Sequence, residues 1–422
     1  MFLAKDIRKL EKLNTAKDNI AVFETPYPVF NELSLEKTER KMVIFMGLDF
    51  RLFPDLDQKN YIDVENKCLD YVRKECADCD LYYKPHPAEK DEQNFLNLAS
   101  FKSIDDPSIS EFFIMKNLCK IQYVFSPFSW ISVSAYAMGL NSFVFSKLFK
   151  TAMGEARADF YDDYFKEMPP QFFINNFDQK LIENKRLIGK GELFEKEIKN
   201  ALTLKKGAAW FVIADPGFLP IIIAMTRLIK SIDPERGREG TQRASASYGV
   251  DPSRKTNLII VRHNRWDKMN IEEIRPYFDG VHIFKRTFYS LRPRKIFDAV
   301  KIAFSAKKLP IGSEGIIFGF THSGFLENCL ISYNKGAMKI SCQNKLNLEW
   351  MYSIKRSATL SDDKFHQIKS NILYNRILEP LLGLNKTLYL KYGDGTVLNI
   401  SRYEKPLNDV YDKVYLFENA KF

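Results

Sequence analysis

Residues 109–146 read "ISEFFIMKNLCKIQYVFSPFSWISVSAYAMGLNSFVFS", and the order of patterns inside them decides the fold. "ISEFFIMKNLCK" reads as a helix and "IQYVFS" as a short strand. "SWISVSAYAMGL" reads as a second helix with a glycine near its end, and "NSFVFS" as another strand. Strands that alternate with helices argue for a parallel sheet with helices on both faces.

The same alternation extends outward. "KMVIFMGLDF", residues 41–50, carries a short apolar run ending at Gly47. In "YIDVENKCLDYVRKEC", Ile62, Val64, Cys68, Leu69 and Val72 fall close to helical spacing, and "DLYYKPHP" is the next strand. A second series begins near Thr256. "TNLIIVRHN" reads as a strand, "NIEEIRPYF" as a helix, "GVHIFKR" as a strand and "PRKIFDAVKIAFSAKKL" as an amphipathic helix. "EGIIFGF" and "FLENCLISYNKG" add a strand and a short helix. Between the series, Ser231–Lys255 is rich in Gly, Pro, Ser and charge, as an exposed linker would be. The expectation is an α/β chain of two Rossmann-like domains. Residues 1–200 form the first, 201–255 a connecting segment, and 256–422 the second, with a ligand cleft at the carboxyl ends of the strands.

Composition narrows the class. Hydrophobic residues make up 45% of the 422 and charged residues 27%, as in ordinary globular proteins. The N-terminus "MFLAKDIRKLEKLN" lacks a signal-peptide core, and the longest apolar run, "FLPIIIAM", is far short of the ~20 residues needed to cross a bilayer. Six scattered cysteines suit a reducing compartment, so a cytoplasmic location is expected, with peripheral contact at the inner membrane face open. Cys76 and Cys79 form a CxxC with no second pair to complete a metal site, and read as structural thiols. Residues 1–200 carry a net charge of −4 and the remainder +14, which points the second part toward an anionic partner or to a well-solvated surface.

The candidate chemistry sits at strand ends. His86 is held between Pro85 and Pro87 just after Lys84, at the end of the "DLYYKPHP" strand. An imidazole restrained in this way suits binding a phosphate or delivering a proton; it also suits a local turn cap. Ser126 and Ser129 stand between a strand and the helix after it, where hydroxyls and free N–H groups bind anions or cap the helix. In "LYLKYGDGTVLNISRY", Asp394 lies between Gly393 and Gly395, either as a hairpin turn or as a carboxylate given space at the cleft. Gly47 and Lys84 join the substrate-binding candidates, and His322 in "FGFTHSGFLENC" is a candidate for acceptor contact.

Taken together, "YYKPHP", "FSPFSWISVSAYAMGL" and "GDGTVLN" resemble the His-Pro, serine and Asp-Gly motifs of bacterial sialyltransferases of the GT-B fold. That group includes lipooligosaccharide sialyltransferases and capsule polysialyltransferases. The resemblance covers most of residues 40–150 and a short stretch at 388–400. It implies that His86, Ser126 and Ser129 hold the phosphate of a CMP-sugar donor, that Asp394 is the general base, and that Glu111 lies near the ribose or base. It further implies an inverting transfer of a sialic acid or related nonulosonate to an anionic glycan or glycolipid, without metal or other cofactor and without a nucleic-acid partner. Gly393 stands where the family usually has a second acidic residue, so Asp394 would act alone. The family places its Asp-Gly domain first, so the chain reads as circularly permuted. The phosphate-directed motifs equally fit a Kdo or glycerophosphate transferase with a CMP or CDP donor. A non-catalytic nucleic-acid or anion-binding protein would use the aromatic and basic stretch "HIFKRTFYSLRPRK".

Overall fold

The computed structural model describes residues 20–24, 41–48, 56–86, 89, 95–166, 168–183, 192–231, 254–262, 266–267, 269–285, 292–320, 325–344, 373, 377–384, 389–391, 397–399 and 411–418. The chain divides into two compact units, Met1–Pro26 with Glu192–Glu418, and Tyr27–Gly191 with Asn419–Phe422. The first strand, β1 (Ile20–Glu24), belongs to the larger unit.

The smaller unit holds five parallel strands: β2 (Met42–Met46), β3 (Asp80–Lys84), β4 (Lys102–Ser103), β5 (Ile121–Ser126) and β6 (Asn141–Val144), ordered β4-β3-β2-β5-β6. Four of the five residues of β2 are buried, and all four of β6, as strands covered on both faces must be. Helix α1 (Gln58–Glu75) starts where the Asp57 side chain accepts the Asn60 N–H at 3.1 Å, and it buries Tyr61, Val64, Cys68, Leu69 and Val72 against the sheet. α2 (Ser110–Lys116) leads into β5, α3 (Trp130–Ala137) into β6, and α4 (Glu155–Tyr164) follows. α3 is buried at every position from Ile131 to Ala137 and stops at Gly139, whose φ of 88° closes the turn. The alternation expected for residues 42–144 is present. Along the chain, strands are added on one side of β2 and then, from β5, on the other. The gap between β2 and β5 is therefore a topological switch point.

The larger unit adds α5 (Glu192–Leu204), β7 (Ala209–Ile213), α6 (Leu219–Ser231), β8 (Thr256–Arg262), β9 (Gly280–Lys285), α7 (Pro293–Lys307), β10 (Ile316–Gly319), α8 (Phe325–Tyr333) and β11 (Met338–Asn344). β12 (Tyr389–Lys391) and β13 (Val397–Asn399) form an antiparallel pair, and β14 (Lys413–Glu418) ends the series. Seven strands lie parallel in the order β1-β14-β11-β10-β7-β8-β9. Here the switch point is between β7 and β10. The protein is thus α/β, with two sheets of parallel strands.

Three expectations need correction. The segment 201–255 is not simply a connection, because β7 is buried at all five positions in the interior of the larger sheet, between β10 and β8, with Phe211 stacked on Phe318 at 5.1 Å. Its Lys255 edge is not loose either: Arg254 is buried and donates to the Leu202 carbonyl at 2.7 Å. Residues 1–200 are not one domain, since β1 pairs with β14 from Ile20 opposite Val414 to Glu24 opposite Glu418. The smaller unit is inserted within the larger one, a different relation from a simple exchange of domain order. Last, "NIEEIRPYF" forms two 3-10 turns, Ile271–Glu273 and Arg275–Tyr277, not an α-helix. Pro276 has no N–H to continue a ladder. Among the described residues, no helix is long and apolar enough to cross a membrane.

The interior position of β7 is testable. Phe211→Ala removes a fully buried ring and should lower stability by about 3–5 kcal/mol in urea denaturation. A loss below about 0.5 kcal/mol, the range of surface substitutions, would return residues 209–213 to a peripheral role.

Candidate functional site

Parallel pairing brings the carboxyl ends of β2, β3 and β5 to one rim of the smaller sheet, with β2 in the middle. At neighbour spacings of about 4.8 Å, β3 and β5 end about 10 Å apart on either side of Gly47. The His86 turn leaves β3 and the Ser126–Ser129 turn leaves β5, so these candidates flank the switch point.

Gly47 ties the middle of the rim to its neighbour, its N–H donating to the Lys84 carbonyl at 2.9 Å. A Cβ at this position would lie 2.2 Å from Tyr83 Oη and 2.7 Å from Glu89 Oε2, so any side chain here would force both to shift. The same two atoms build the His86 turn. Tyr83 Oη donates to Glu89 Oε1 at 2.8 Å, the His86 N–H donates to Glu89 Oε2 at 2.9 Å, and the Glu89 N–H returns to the His86 carbonyl at 2.9 Å. Glu89 therefore grips both the strand and the turn, and the half-buried imidazole of His86 is carried on a fixed backbone. Pro87 lies outside the described residues. Glu89 was not singled out in the sequence. The signal was the Glu three residues after His86, the spacing at which a side chain reaches back to an earlier N–H in a capping box.

Below this turn is a second carboxyl. Glu65, on α1, is 1% exposed, and its Oε1 has no hydrogen-bond partner among the described residues. Burial pushes its pKa well above the usual carboxylate range, the Glu89 charge adds to this, and the nearby Tyr61 hydroxyl opposes it. Burial likewise pushes the Tyr61 phenol up, helped by Glu65 and Tyr83.

Lys84 is a structural strap more than a free cation. It is 6% exposed, donates to the Asp106 carbonyl at 2.7 Å and lies 5.3 Å from the Phe113 ring centre. Burial pushes its ammonium below the usual lysine value, while Asp106, Asp105 and Glu111 pull the other way. Glu111, half-buried in the first turn of α2, is thereby placed in the neighbourhood of Lys84.

The two serines separate. Ser126 is fully buried, its hydroxyl 2.7 Å from Ser132 Oγ and accepting the Ser129 N–H at 3.1 Å. Its side chain shapes the turn and has no face for a substrate, which corrects the binding role expected of it. Ser129 is half-buried and is the N-cap of α3, accepting the Ile131 N–H at a long 3.4 Å. A hydroxyl at a helix start, beside N–H groups with no partner inside the helix, suits an anion.

Asp394, with Gly393 and Gly395, lies outside the described residues, between β12 and β13, where Tyr389 pairs with Asn399 and Lys391 with Val397. His322 also lies outside them, between β10 and α8. Near that switch point, Glu327 is 1% exposed and accepts the Tyr411 hydroxyl, and Glu379 accepts the Asn328 amide at 3.0 Å. Both are buried carboxylates that the sequence reading passed over; Glu327 stands in "FLENCLISY", which looks like an ordinary apolar helix. The CxxC closes the end of α1, with the Cys79 N–H donating to Cys76 O at 3.0 Å; burial and Cys79 push the Cys76 thiol up to about 12. Neither cysteine has the lowered pKa of a reactive thiolate.

Two outcomes follow from the rim. Gly47→Ala should cost about 1–3 kcal/mol, read in urea denaturation, because Tyr83 and Glu89 must both move. Glu65 binds its proton more tightly folded than unfolded, so its contribution is full below the ordinary carboxylate pKa and is lost as pH rises above it. Glu65→Gln mimics the protonated acid and should raise Tm relative to wild type more at pH 8 than at pH 5. Equal shifts at both pH values would show that Glu65 is ionised in the fold.

No protein-family model, no curated protein and no solved structure matches the chain.

Proposed function

We propose that the protein is a GT-B-type glycosyltransferase that moves a sialic acid or related nonulosonate from a CMP-sugar to a cell-surface glycan. The observation that supports this most directly is the pair of turns, His86 and Ser129, flanking the β2–β5 switch point with Gly47 between them. Ligands of open parallel sheets bind at such points. The rim offers what a departing nucleotide phosphate needs: an imidazole on a clamped turn, a hydroxyl, and N–H groups at the start of α3.

In this reading His86 and Ser129 take the charge of the CMP phosphate as the glycosidic bond breaks. A phosphate monoester has a second pKa of about 6, so it departs with modest acid help, and the harder step is to remove the proton from the acceptor hydroxyl. Asp394, in a motif that resembles the family's Asp-Gly motif, takes that proton while the oxygen attacks the anomeric carbon from the opposite side, inverting it. The resemblance implies that Glu111 lies near the ribose or base, and His322 is the candidate for acceptor contact. The resemblance implies that no metal is needed. The excess of cations in the C-terminal part of the chain suits an acceptor bearing phosphate or carboxylate.

His86→Ala and Ser129→Ala should each weaken CMP binding by about 1–3 kcal/mol in calorimetry, with the fold retained. Unchanged affinity in both variants would sink the phosphate assignment. Asp394→Asn keeps the side-chain shape and removes the proton acceptor, so turnover on a competent acceptor should fall by roughly 10² to 10⁴, with little change in CMP affinity. Near-normal turnover would leave Asp394 as a turn residue. A Kdo or glycerophosphate transferase would share this rim, since the phosphate is what it grips. Comparing thermal shifts with CMP, CDP, UDP and GDP, then assaying the corresponding donors, separates these readings.

A further inference from the structure

Helix α7 carries an outward face that neither the fold nor the proposed transfer uses. Its inner face is Ala299, Ile302, Ala303 and Ala306, all buried. At 100° per residue, the opposite side carries Arg294, Phe297, Lys301, Phe304 and Lys308, at successive spacings of three, four, three and four. All five are exposed, Phe297 at 58% and Phe304 at 57%. Cations and phenyl rings alternate along one stripe, and Lys301 Nζ sits 4.5 Å from the Phe297 ring centre. Residues 292–308 contain six basic side chains against one acidic, Asp298.

Two half-exposed rings between cations are costly in water, and more so on a helix whose other face is already satisfied by the sheet. Their chemistry fits the boundary of a bilayer, where rings enter the acyl edge and long basic side chains reach up to phosphate headgroups. Nucleic acid fits less well. The two rings are seven residues apart, about 10 Å along the axis, roughly three times the 3.4 Å between successive stacked bases of one strand. We infer that the Arg294–Lys308 face of α7 docks the protein on a membrane surface rich in anionic phospholipid, with Phe297 and Phe304 inserted and Arg294, Lys301 and Lys308 on the headgroups. The inference is independent of the transferase reading, because binding to lipid needs neither donor nor acceptor.

The test is co-sedimentation of the full chain with vesicles of phosphatidylcholine alone or with about one third phosphatidylglycerol, near physiological salt. Wild type should partition to the anionic vesicles and not to the neutral ones. At about fivefold per surface charge, Arg294→Gln/Lys301→Gln/Lys308→Gln should lower partitioning about a hundredfold. Phe297→Gln/Phe304→Gln should lower it about tenfold or more and leave a weak residue that salt abolishes. Melting curves should be unchanged in both variants, since every altered side chain is exposed. Absence of wild-type partitioning, or equal partitioning of wild type and both variants, overturns the inference. So does binding of a single-stranded oligonucleotide, but not of vesicles, that the same variants abolish, and so does loss of self-association in the phenylalanine variant without any loss of lipid binding.

Discussion

Parallel pairing governs everything else in this molecule. A parallel strand cannot be joined to its neighbour by a tight turn, so each connection must cross a face of the sheet, and every strand in that sheet presents its carboxyl end to the same rim. That is how Gly47, His86 and Ser129, far apart in sequence, reach one edge of the smaller unit. It also explains the uninterrupted burial of β6 and β7, since strands covered by helices on both sides have no solvent face to pattern.

The rim is stiff for a reason that is chemical as well as topological. Glu89 satisfies a phenol and a backbone N–H with its two oxygens, and the absent side chain at Gly47 makes room for that arrangement. The cost falls on Glu65, a carboxyl held out of water near another carboxylate. Lys84 follows the same logic with the opposite charge: its ammonium is desolvated, yet a backbone carbonyl and an aromatic face hold it in place. These groups give up hydration to fix geometry.

Much of the smaller unit was legible because its signals are local. The helical spacing of Val64, Cys68, Leu69 and Val72, and the glycine closing α3, depend on nearby residues alone, although the expected set includes Ile62 where the structure buries Tyr61. The larger unit was legible only in part. β7 is five residues long and sits among a lysine-rich helix end, a proline and two glycines, so its apolar run was absorbed into the connection. β1 could not be assigned to the larger sheet because its partner among the described strands is β14, nearly four hundred residues later. Ser126 and Ser129 show a finer limit. Both are serines at a strand-to-helix turn, and only three-dimensional packing decides that one hydroxyl turns inward to Ser132 while the other caps the helix.

The β1–β14 pairing also sets an order in time. During synthesis β1 emerges before the other described strands and its neighbour β14 after them, so the inserted unit has its described strands, β2 to β6, long before the larger sheet can close. Bringing β1 to β14 requires closing a loop of nearly four hundred residues, although that entropy grows only slowly with length and a folded insert shortens the effective distance. Until Lys413–Glu418 leaves the ribosome, one edge of β11 and all of β1 remain without their partner. Chains that stop short of β14 would therefore be candidates for chaperone capture or edge-to-edge aggregation, even with the rim that carries His86 and Ser129 already formed.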